Sequence, residues 1–564
     1  MRPFALVCTL SIVALPIVAL TTPARATEPA PLPLEGEPPA EAPPAQPIPK
    51  ASEDPAPRFD PDLSLYPNAA TGPGLKLELV EPKSPDGRPL WMGLHAHGAI
   101  RGEMISAIPV DRDGNEHDPG PIMNAYFRLG AELHSGTVIS SAAELHSELE
   151  ADLPTGVVGP SQELEGEGYP GVGGADVELR KANGGISFDE YFRVDVGWQT
   201  SYWGMGLLAN DGAHGWEPGS ARFIDPRSGD RPFRVRAMTG PHRDALGLVV
   251  VFAFDVLSDD LLSDDDILLE GDHARQYIGA VRLGDLQNYG GFYAVYRQQR
   301  TPAAAFAGVT DDRDTDVWVF DAHVHGELRS GEAFLEVESE AAFVMGDTEL
   351  APSVDFPVHD VRQLGVAARI NAGVPWLGGV LDIFYASGDQ NLDDDQQNAF
   401  RADPNYELGL LLFRQVLASQ SARSQFTAGD PSLVGVPNEN LERLPTRGSV
   451  TNTIAFFPRL RGRPIDGLEL YGGPLFALAA VPLNDPLNTR SNGGQPSSSL
   501  GGVSGNFLGV ELDLGVRYRV YLGGPELTLG VETGALKPGN ALRDQQLERM
   551  DWVFGGRTML DVRL

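Results

Sequence analysis

The feature that most constrains this chain is an alternation of apolar and polar residues, repeated in segments of roughly ten residues from about Leu90 onward. In the segment 507–520 the even-numbered positions are apolar or aromatic, and the odd-numbered positions include Glu511, Asp513, Arg517 and Arg519. Strict alternation over this length predicts a β-strand with one apolar and one wet face. The pattern predicts eighteen strands, centred near residues 96, 127, 146, 178, 197, 236, 250, 280, 295, 322, 339, 367, 383, 453, 474, 514, 531 and 557.

The connections between these strands alternate between short and long. Turn-like connections such as Ser330-Gly331 follow the even-numbered strands, whereas long polar connections such as 203–231 and 387–447 follow most odd-numbered strands. Tight turns at one end and long loops at the other are typical of transmembrane barrels. A soluble sandwich has shorter strands, and a propeller would show four-strand units of constant length. We therefore expect an all-β fold, a transmembrane antiparallel β-barrel of about 18 strands, with 16 or 20 as alternatives.

The connection 387–447 is too long to be featureless. Leu408, Leu411, Leu412 and Val416 follow helical spacing, which predicts a short helix folded against or into the mouth of the barrel. The alternative is an additional hairpin, which would raise the strand count to twenty.

The amino-terminal region predicts export. Residues 1–26 combine Arg2, an apolar stretch and the small residues Ala24 and Ala26, which is the pattern of a cleaved signal peptide. Residues 27–88 are predicted to be a Pro-rich disordered periplasmic spacer, because 13 prolines stand between residues 27 and 67. The barrel is assigned to 89–564. The expected location is the outer membrane of a Gram-negative bacterium, with outer-membrane lipid as a partner.

The carboxyl terminus supports the same location. The last predicted strand ends on the apolar Leu564, which resembles the carboxy-terminal signal read by the bacterial barrel-assembly machinery, with Leu in place of the usual Phe. That machinery is therefore an expected partner during biogenesis.

Composition excludes several classes of function. The formal net charge of −35 argues against nucleic-acid binding. The single cysteine, Cys8, lies in the predicted signal peptide, and no phosphate loop, Gly-x-Ser-x-Gly or His-Glu-x-x-His motif occurs. We expect no cofactor and no enzymatic activity.

One segment resembles a known family. Asp382-Ile383-Phe384-Tyr385-Ala386-Ser387-Gly388-Asp389, followed by Phe400 and Asp403-Pro404-Asn405-Tyr406, is similar to a late strand and loop of the alginate-export family. The resemblance implies an eighteen-stranded outer-membrane barrel that passes an anionic polysaccharide through a constriction lined by arginine and lysine.

The wet faces of the strands predict a polar lumen. We expect passive passage of small hydrophilic solutes or oligosaccharides, with an alginate-type exporter of acidic polysaccharide or a plugged structural or adhesive barrel as alternatives. The strand directions place a basic ring near the periplasmic opening and a more acidic lumen above it. The candidate selectivity residues are Arg193, Arg329, Arg369, Glu511, Asp513, Arg517, Arg519 and Arg563. The alternative is an ion-pair lattice that only satisfies a wet wall.

Metal binding is the less favoured reading of the histidines and of the acidic loops. His95 and His97 share one strand face, and His134 and His146 are predicted to lie near them, but lumen-lining polar residues explain all four. The acidic runs at 264–266, 311–316 and 393–395 contain oxygen ligands that suit calcium but lack the spacing of a calcium loop. We therefore expect no metal.

Overall fold

The computed structural model describes residues 75–81, 87–140, 142–153, 157–158, 177–188, 191–211, 231–258, 273–285, 287–302, 312–350, 356–391, 394–429, 446, 448–522 and 525–564. The predicted signal peptide and most of the predicted spacer lie outside these residues, as does the acidic run 264–266.

The described residues form a closed barrel of eighteen antiparallel strands. Each strand pairs with the next along the chain, and the last pairs with the first, where Arg563 lies opposite His97. The predicted fold and strand number are therefore confirmed. The strands are β1 Leu90–Ile105, β2 Ile122–His134, β3 Glu144–Leu153, β4 Glu178–Phe188, β5 Phe192–Trp198, β6 Phe233–His242, β7 Leu248–Ser258, β8 His273–Gly284, β9 Asn288–Thr301, β10 Arg313–Ser330, β11 Ala333–Thr348, β12 His359–Val374, β13 Leu377–Ala386, β14 Thr453–Ile465, β15 Leu468–Ala479, β16 Phe507–Tyr521, β17 Glu526–Pro538 and β18 Val553–Arg563.

The predicted rhythm of connections is also confirmed. Even-numbered strands are followed by short connections such as 331–332, 375–376 and 466–467, and odd-numbered strands by longer ones. All short connections therefore lie at one end of the barrel, the short-turn end, and all long ones at the other, the long-loop end. Four long connections matter below: L1 (106–121), L5 (199–232), L13 (387–452) and L15 (480–506).

The outer face of the barrel is apolar. Every second side chain of a strand points to the outside of the barrel. The large apolar side chains exposed there include Ile100, Leu129, Leu149, Val196, Phe252, Val281, Phe292, Val324, Val337, Ile370, Leu460, Leu470, Leu514 and Leu529. Water does not cover a continuous apolar band of this kind on a stable soluble protein, whereas lipid does. Among the described residues, every strand of the barrel pairs with a neighbour on both sides, so the closed sheet has no edge strand facing that band.

An aromatic row borders this band toward the long-loop end. Phe254, Tyr277, Tyr296 and Trp318 lie opposite one another on four successive strands. The ring centroids of neighbours in the row are 5.2, 6.3 and 4.7 Å apart. Amphipathic rings of this kind are favoured at a membrane–water boundary. Within the described residues, no helix has the length and apolar character needed to span a membrane.

A strand at Leu75–Val80 corrects part of the predicted spacer. It pairs antiparallel with residues 90–94 of β1, where Leu75 lies opposite Leu94. The prediction that all of 27–88 is disordered is wrong here for two reasons. The segment Leu-Lys-Leu-Glu-Leu-Val contains no proline, and β18 pairs only with residues 97–105 of β1, so the first residues of β1 have a free edge for it.

The predicted helix in L13 is confirmed. A π-helical turn at Leu412–Leu417 continues into α1 at Ala418–Gly429, and the described part of L13 adds only a two-residue strand, Gln396–Gln397, beside β12. The rival hairpin is therefore not formed by these residues. The remaining small elements are α2 Pro486–Ser491, a 3₁₀ turn at Arg243–Ala245, and the short strands Ile108–Pro109, Glu116–His117 and Val157–Val158.

Candidate functional site

Loop L13 enters the barrel and is fastened to the inner wall by Glu511. The carboxylate of Glu511, which has no exposed surface, accepts hydrogen bonds from the backbone N–H groups of Leu410, Leu411 and Leu412 at 2.5, 2.7 and 2.8 Å. These amides stand at the start of the π-helical turn, where backbone donors lack partners within the helix. A wall carboxylate thus caps this turn, and the favourable helix dipole adds to the contact.

The approach of L13 to Glu511 depends on Gly409. This residue has a φ of +74°, and a Cβ placed on it would lie 2.6 Å from Leu475 Cδ2 and 3.1 Å from Glu511 Oε1. Only glycine combines this backbone conformation with the space at the wall.

Loop L5 is fastened in the same manner, to a strand of the wall five strands away from β16. Glu340 on β11 accepts hydrogen bonds from the backbone N–H groups of Met205 and Leu207, the second at 3.3 Å. Trp203 of the same loop donates its indole N–H to Asp321 on β10 at 2.9 Å. Two wall glutamates therefore each hold one inward loop by its backbone.

The two loops meet inside the barrel. The backbone N–H of Asp403 in L13 donates to the carbonyl of Leu207 in L5 at 2.8 Å. Around this contact lies an apolar cluster that joins both loops to the wall, with Met205, Leu207, Phe400, Tyr406 and Phe413 among its buried members. The interior of the barrel near these loops is thus a packed apolar core, and polar residues line the wall beyond it.

A group of three arginines and one aspartate lies on β12–β14, toward the short-turn end. We call Arg369, Asp382, Arg459 and Arg461 the arginine patch. Asp382 accepts from Arg369 Nε at 2.6 Å and also forms an ion pair with Arg459. Arg461 is only 7% exposed, its guanidinium lies 5.2 Å from the ring centroid of Phe334, and no carboxylate of the described residues forms an ion pair with it. Asp382 thus forms ion pairs with two of the three guanidinium groups, and the nearest favourable charges at the third, Arg461, are Glu469 and Glu336.

The six candidate arginines lie toward the short-turn end, where the sequence placed them, and each is paired. Their partners are Asp195 for Arg193 (2.9 Å), Glu327 for Arg329, Asp382 for Arg369 (2.6 Å), Glu469 for Arg517 (3.1 Å), Glu526 for Arg519 (3.1 Å) and Asp561 for Arg563 (2.8 Å). Arg329 is the most open, with 72% of its side chain exposed. Their role in selectivity stays a prediction; the geometry is that of a charged lattice along the wall.

The two candidate acids, Glu511 and Asp513, do not pair with arginines but lie beneath L13. Glu511 is occupied by the amides of L13, and Asp513 lies on the same face of β16, with one carboxylate oxygen buried and without a hydrogen-bond partner. The expected acidic upper lumen is therefore covered by L13 at these two residues.

Each of the four candidate histidines contacts a carboxylate. His95 lies 3.2 Å from Glu150, His97 pairs with Asp561, and His146 lies 2.5 Å from Asp195. His134 stacks on Trp91 at 4.2 Å and contacts Glu144 at 3.1 Å. Within the described ranges, no group of three or more His, Cys, Asp or Glu side chains could hold a metal ion. These histidines therefore belong to the same network of paired charged and polar side chains along the barrel wall.

Two loop carboxylates at the long-loop end have opposite electrostatic environments. Burial raises the pKa of Asp485, although the Ser424 hydroxyl and the Asn488 backbone N–H donate to it. Burial acts in the same direction on Asp111, but hydrogen bonds from Asn115 and Arg423 outweigh it and lower the pKa of that carboxyl. Asp485 links α1 to α2, and Asp111 links L1 to α1.

Sequence reasoning missed Arg459, Arg461 and the anchoring role of Glu340. Arg459 and Arg461 alternate with Pro458 and Leu460 on β14, so the period-two pattern could have placed both on the wet face. The anchoring role of Glu340 leaves no local signal, because its partners are backbone amides about 135 residues earlier in the chain.

No protein-family model matches this sequence, and no curated protein matches it. Several solved structures of Pseudomonas aeruginosa proteins are similar in fold. OccK9 (OpdG) has a TM-score of 0.46 at 11% identity, covering 86% of this chain and 100% of that one. OccK2 (OpdF) has a TM-score of 0.45 at 10% identity, covering 84% and 97%. OpdK, solved with vanillate, has a TM-score of 0.42 at 11% identity, covering 84% and 98%.

Proposed function

We propose that the protein is an outer-membrane channel for the passive passage of small hydrophilic solutes or oligosaccharides. The observation that carries the proposal is a closed barrel with an apolar outside and a charged inside. Charged groups along a lumen lower the cost of moving a hydrated solute through it.

The arginine patch gives this channel a preference for anions. The three guanidinium groups of the patch lie together on the inner wall around the single carboxylate of Asp382, and charge in a confined lumen is screened less than at an open surface. Anionic solutes should therefore be concentrated at this level, and cations depleted.

The proposal includes orientation and biogenesis. The long loops face the outside and the short turns face the periplasm, as in exported barrels. We also propose that residues 1–26 are a cleaved signal peptide and that the barrel lies in contact with outer-membrane lipid. The barrel-assembly machinery would insert it by recognising the carboxyl-terminal strand, which ends in Leu564. We propose no catalytic activity, since the sequence carries none of the motifs named above.

Planar-bilayer recording of the purified full-length chain tests the proposal. We expect discrete conductance steps and, under a salt gradient, a reversal potential on the anion-selective side. A heat-dependent mobility shift on a detergent gel shows independently that the recorded protein is a folded barrel. A folded barrel that inserts and never conducts would reject the channel.

Two other functions remain as proposals with specific support. The cluster of guanidinium groups in the arginine patch also suits an exporter of an acidic, alginate-type polysaccharide. In that case acidic oligosaccharide should block the current, and neutral oligosaccharide should not. The apolar cluster between L5 and L13 favours a plugged barrel with a structural or adhesive role. If wild type does not conduct and removal of residues 404–429 produces conductance, the plugged barrel is supported.

A further inference from the structure

Each inward loop is anchored by two wall carboxyls that contact each other. Asp321 and Glu340 hydrogen-bond to one another beneath L5, and we call them the L5 pair. Glu511 and Asp513 hydrogen-bond to one another beneath L13, and we call them the L13 pair. A carboxylate only accepts hydrogen bonds, so contact of this kind between two carboxyl groups requires a proton on one of them.

No cation balances these four carboxyls. Several other acids of the wall form ion pairs with arginine. Within the described residues, no ion pair joins either carboxyl of the L5 pair or of the L13 pair to an arginine or a lysine. Asp321, Glu340 and Glu511 are at most 1% exposed, and one carboxylate oxygen of Asp513 is buried. Two adjacent carboxyls in such a site cannot both be ionised without a large cost, so each pair retains one proton.

The contacts with the loops indicate which member of each pair holds the proton. Glu511 accepts three backbone N–H groups of L13 and Glu340 accepts two of L5, which favours the ionised form of the glutamates. The aspartate of each pair then carries the proton and donates it to the glutamate. Asp321 accepts the indole N–H of Trp203 through Oδ1, which leaves its other oxygen for the proton.

The groups around the L5 pair do not supply the missing positive charge. His323, two positions along β10, contacts Glu338 of β11 at 3.0 Å, and Tyr293 of β9 lies opposite the aspartate. Arg369 of β12 lies opposite Glu338 and forms its ion pair with a carboxylate of β13. Residues 203–207 of L5 contain no ionisable side chain.

The groups around the L13 pair are likewise engaged elsewhere. Glu532 of β17 adds a third carboxylate, and Arg557 of β18 forms ion pairs with it and with Glu407 of L13. The hydroxyl of Tyr471 on β15 also donates to Glu532, at 2.8 Å. Residues 410–412 of L13 are all leucine. Both pairs therefore depend on a proton and on backbone donors.

We propose that the two pairs are pH-sensitive anchors, which hold L5 and L13 while each pair keeps its proton and loosen them as pH rises. Loss of the proton places two adjacent negative charges in a site without a cation, and their repulsion is relieved when the loop opens and water enters. Carboxyls exposed to water release their proton more readily than the closed pair does. Opening is therefore coupled to the release of one proton, so the closed loop loses stability as pH rises.

Amide hydrogen exchange of the full-length folded protein in detergent tests the proposal. The rates are measured over a pH series and divided by the intrinsic exchange rate at each pH. In wild type, the protection of residues 410–412, Met205 and Leu207 should fall about tenfold per pH unit where opening releases one proton. Amides in the middle of the barrel strands should keep constant protection, which distinguishes loosening of the loops from unfolding of the barrel.

Two variants separate the pairs. Asp513→Asn cannot ionise but keeps a donor for Glu511, so it should abolish the pH dependence at residues 410–412 and leave that of L5 unchanged. Asp321→Asn should do the reverse, so each variant is the matched control of the other. A heat-dependent mobility shift on a detergent gel shows that both variants are folded barrels.

Protection at residues 410–412 that is independent of pH in wild type, or that falls equally in wild type and in Asp513→Asn, would overturn the proposal. Planar-bilayer recording gives a second readout that rests on the proposed function. Current noise should rise with pH in wild type and stay constant in a variant that carries both substitutions. Absence of current would reject the channel but not the anchors, because exchange is measured without it.

Discussion

Replacing Glu511 by alanine should release the start of the L13 helix from the barrel wall. The side chain is the acceptor for three backbone N–H groups at residues 410–412. Hydrogen bonds to a charged group contribute about 1.5–3 kcal/mol each, so removal of all three weakens this contact by about 4–9 kcal/mol if nothing replaces them.

Apolar packing decides how far the release spreads. Leu411, Leu412, Phe413 and Val416 are all almost fully buried, and each such side chain contributes about 1.5–3 kcal/mol. Together they contribute about 6–12 kcal/mol, which is at least as much as the lost hydrogen bonds. The loop should therefore stay inside the barrel, and only the segment 409–412 should open.

Amide hydrogen exchange of a peptide covering residues 404–417 measures this opening. A loss of about 4 kcal/mol corresponds to roughly a thousandfold faster exchange at amides that open locally. Glu511→Gln, which keeps one acceptor oxygen, should give an intermediate rate. Channel current should become noisier without a large rise in mean conductance, since the bulk of the loop stays in place.

Glu340→Ala is the matched control, because it removes the equivalent anchor of L5. It should accelerate exchange at Met205 and Leu207 and leave residues 410–412 as protected as in wild type. If Glu511→Ala leaves residues 410–412 fully protected while the barrel remains folded, L13 is held by apolar packing alone and the anchoring role of Glu511 is refuted.

Three further predictions follow from the same contacts. Arg461→Gln should move the reversal potential toward cations more than Arg329→Gln, because Arg329 pairs with Glu327 whereas no described carboxylate forms an ion pair with Arg461; equal shifts would contradict the role of the arginine patch. Gly409→Ala should accelerate exchange at residues 410–412 without removing any hydrogen-bonding group, because its Cβ would contact Leu475 at 2.6 Å. Since burial raises the pKa of Asp485 above its unfolded value, α2 should be most protected in acid and lose protection as pH rises through that raised pKa. Asp485→Asn, which retains a capping oxygen, should remove this dependence in exchange measured across 486–491.

The strands could be predicted from sequence because their signal is local. A residue in a barrel strand faces either lipid or lumen, so its neighbours in sequence record its environment directly. The eighteen predicted centres each fall in or beside a strand of the structure, and the helical spacing around Leu411 correctly indicated the helix in L13. The strand Leu75–Val80 could not be predicted because it depends on a free edge at the start of β1. That edge is free only because β18, more than 450 residues later, pairs with the second half of β1.

The interior arrangement could not be predicted because its partners are remote or carry no side-chain signature. Alternation places Arg369, Asp382 and Arg459 on wet faces, but only the register of three strands shows that one carboxylate serves two guanidinium groups. The sequence pattern predicts Glu511 only as an acidic residue of the lumen. In the structure its partners are main-chain amides about 100 residues away, and any residue type supplies such an amide.

The use of carboxylates as loop anchors has a physical reason. A loop that enters a barrel must satisfy its backbone N–H groups without a strand to pair with, and an apolar wall would leave each of them unpaired at a cost of about 1–3 kcal/mol. A glutamate offers several lone pairs on a flexible stem, so one side chain serves two or three backbone donors of the same loop, as Glu340 and Glu511 both do. Charged residues on the lumen face of a barrel strand are thus of two kinds. Some line the path of a solute, and others hold the inward loops that narrow that path. The distinguishing observation is the partner, a side chain of the wall in the first case and a backbone or side-chain group of an inward loop in the second.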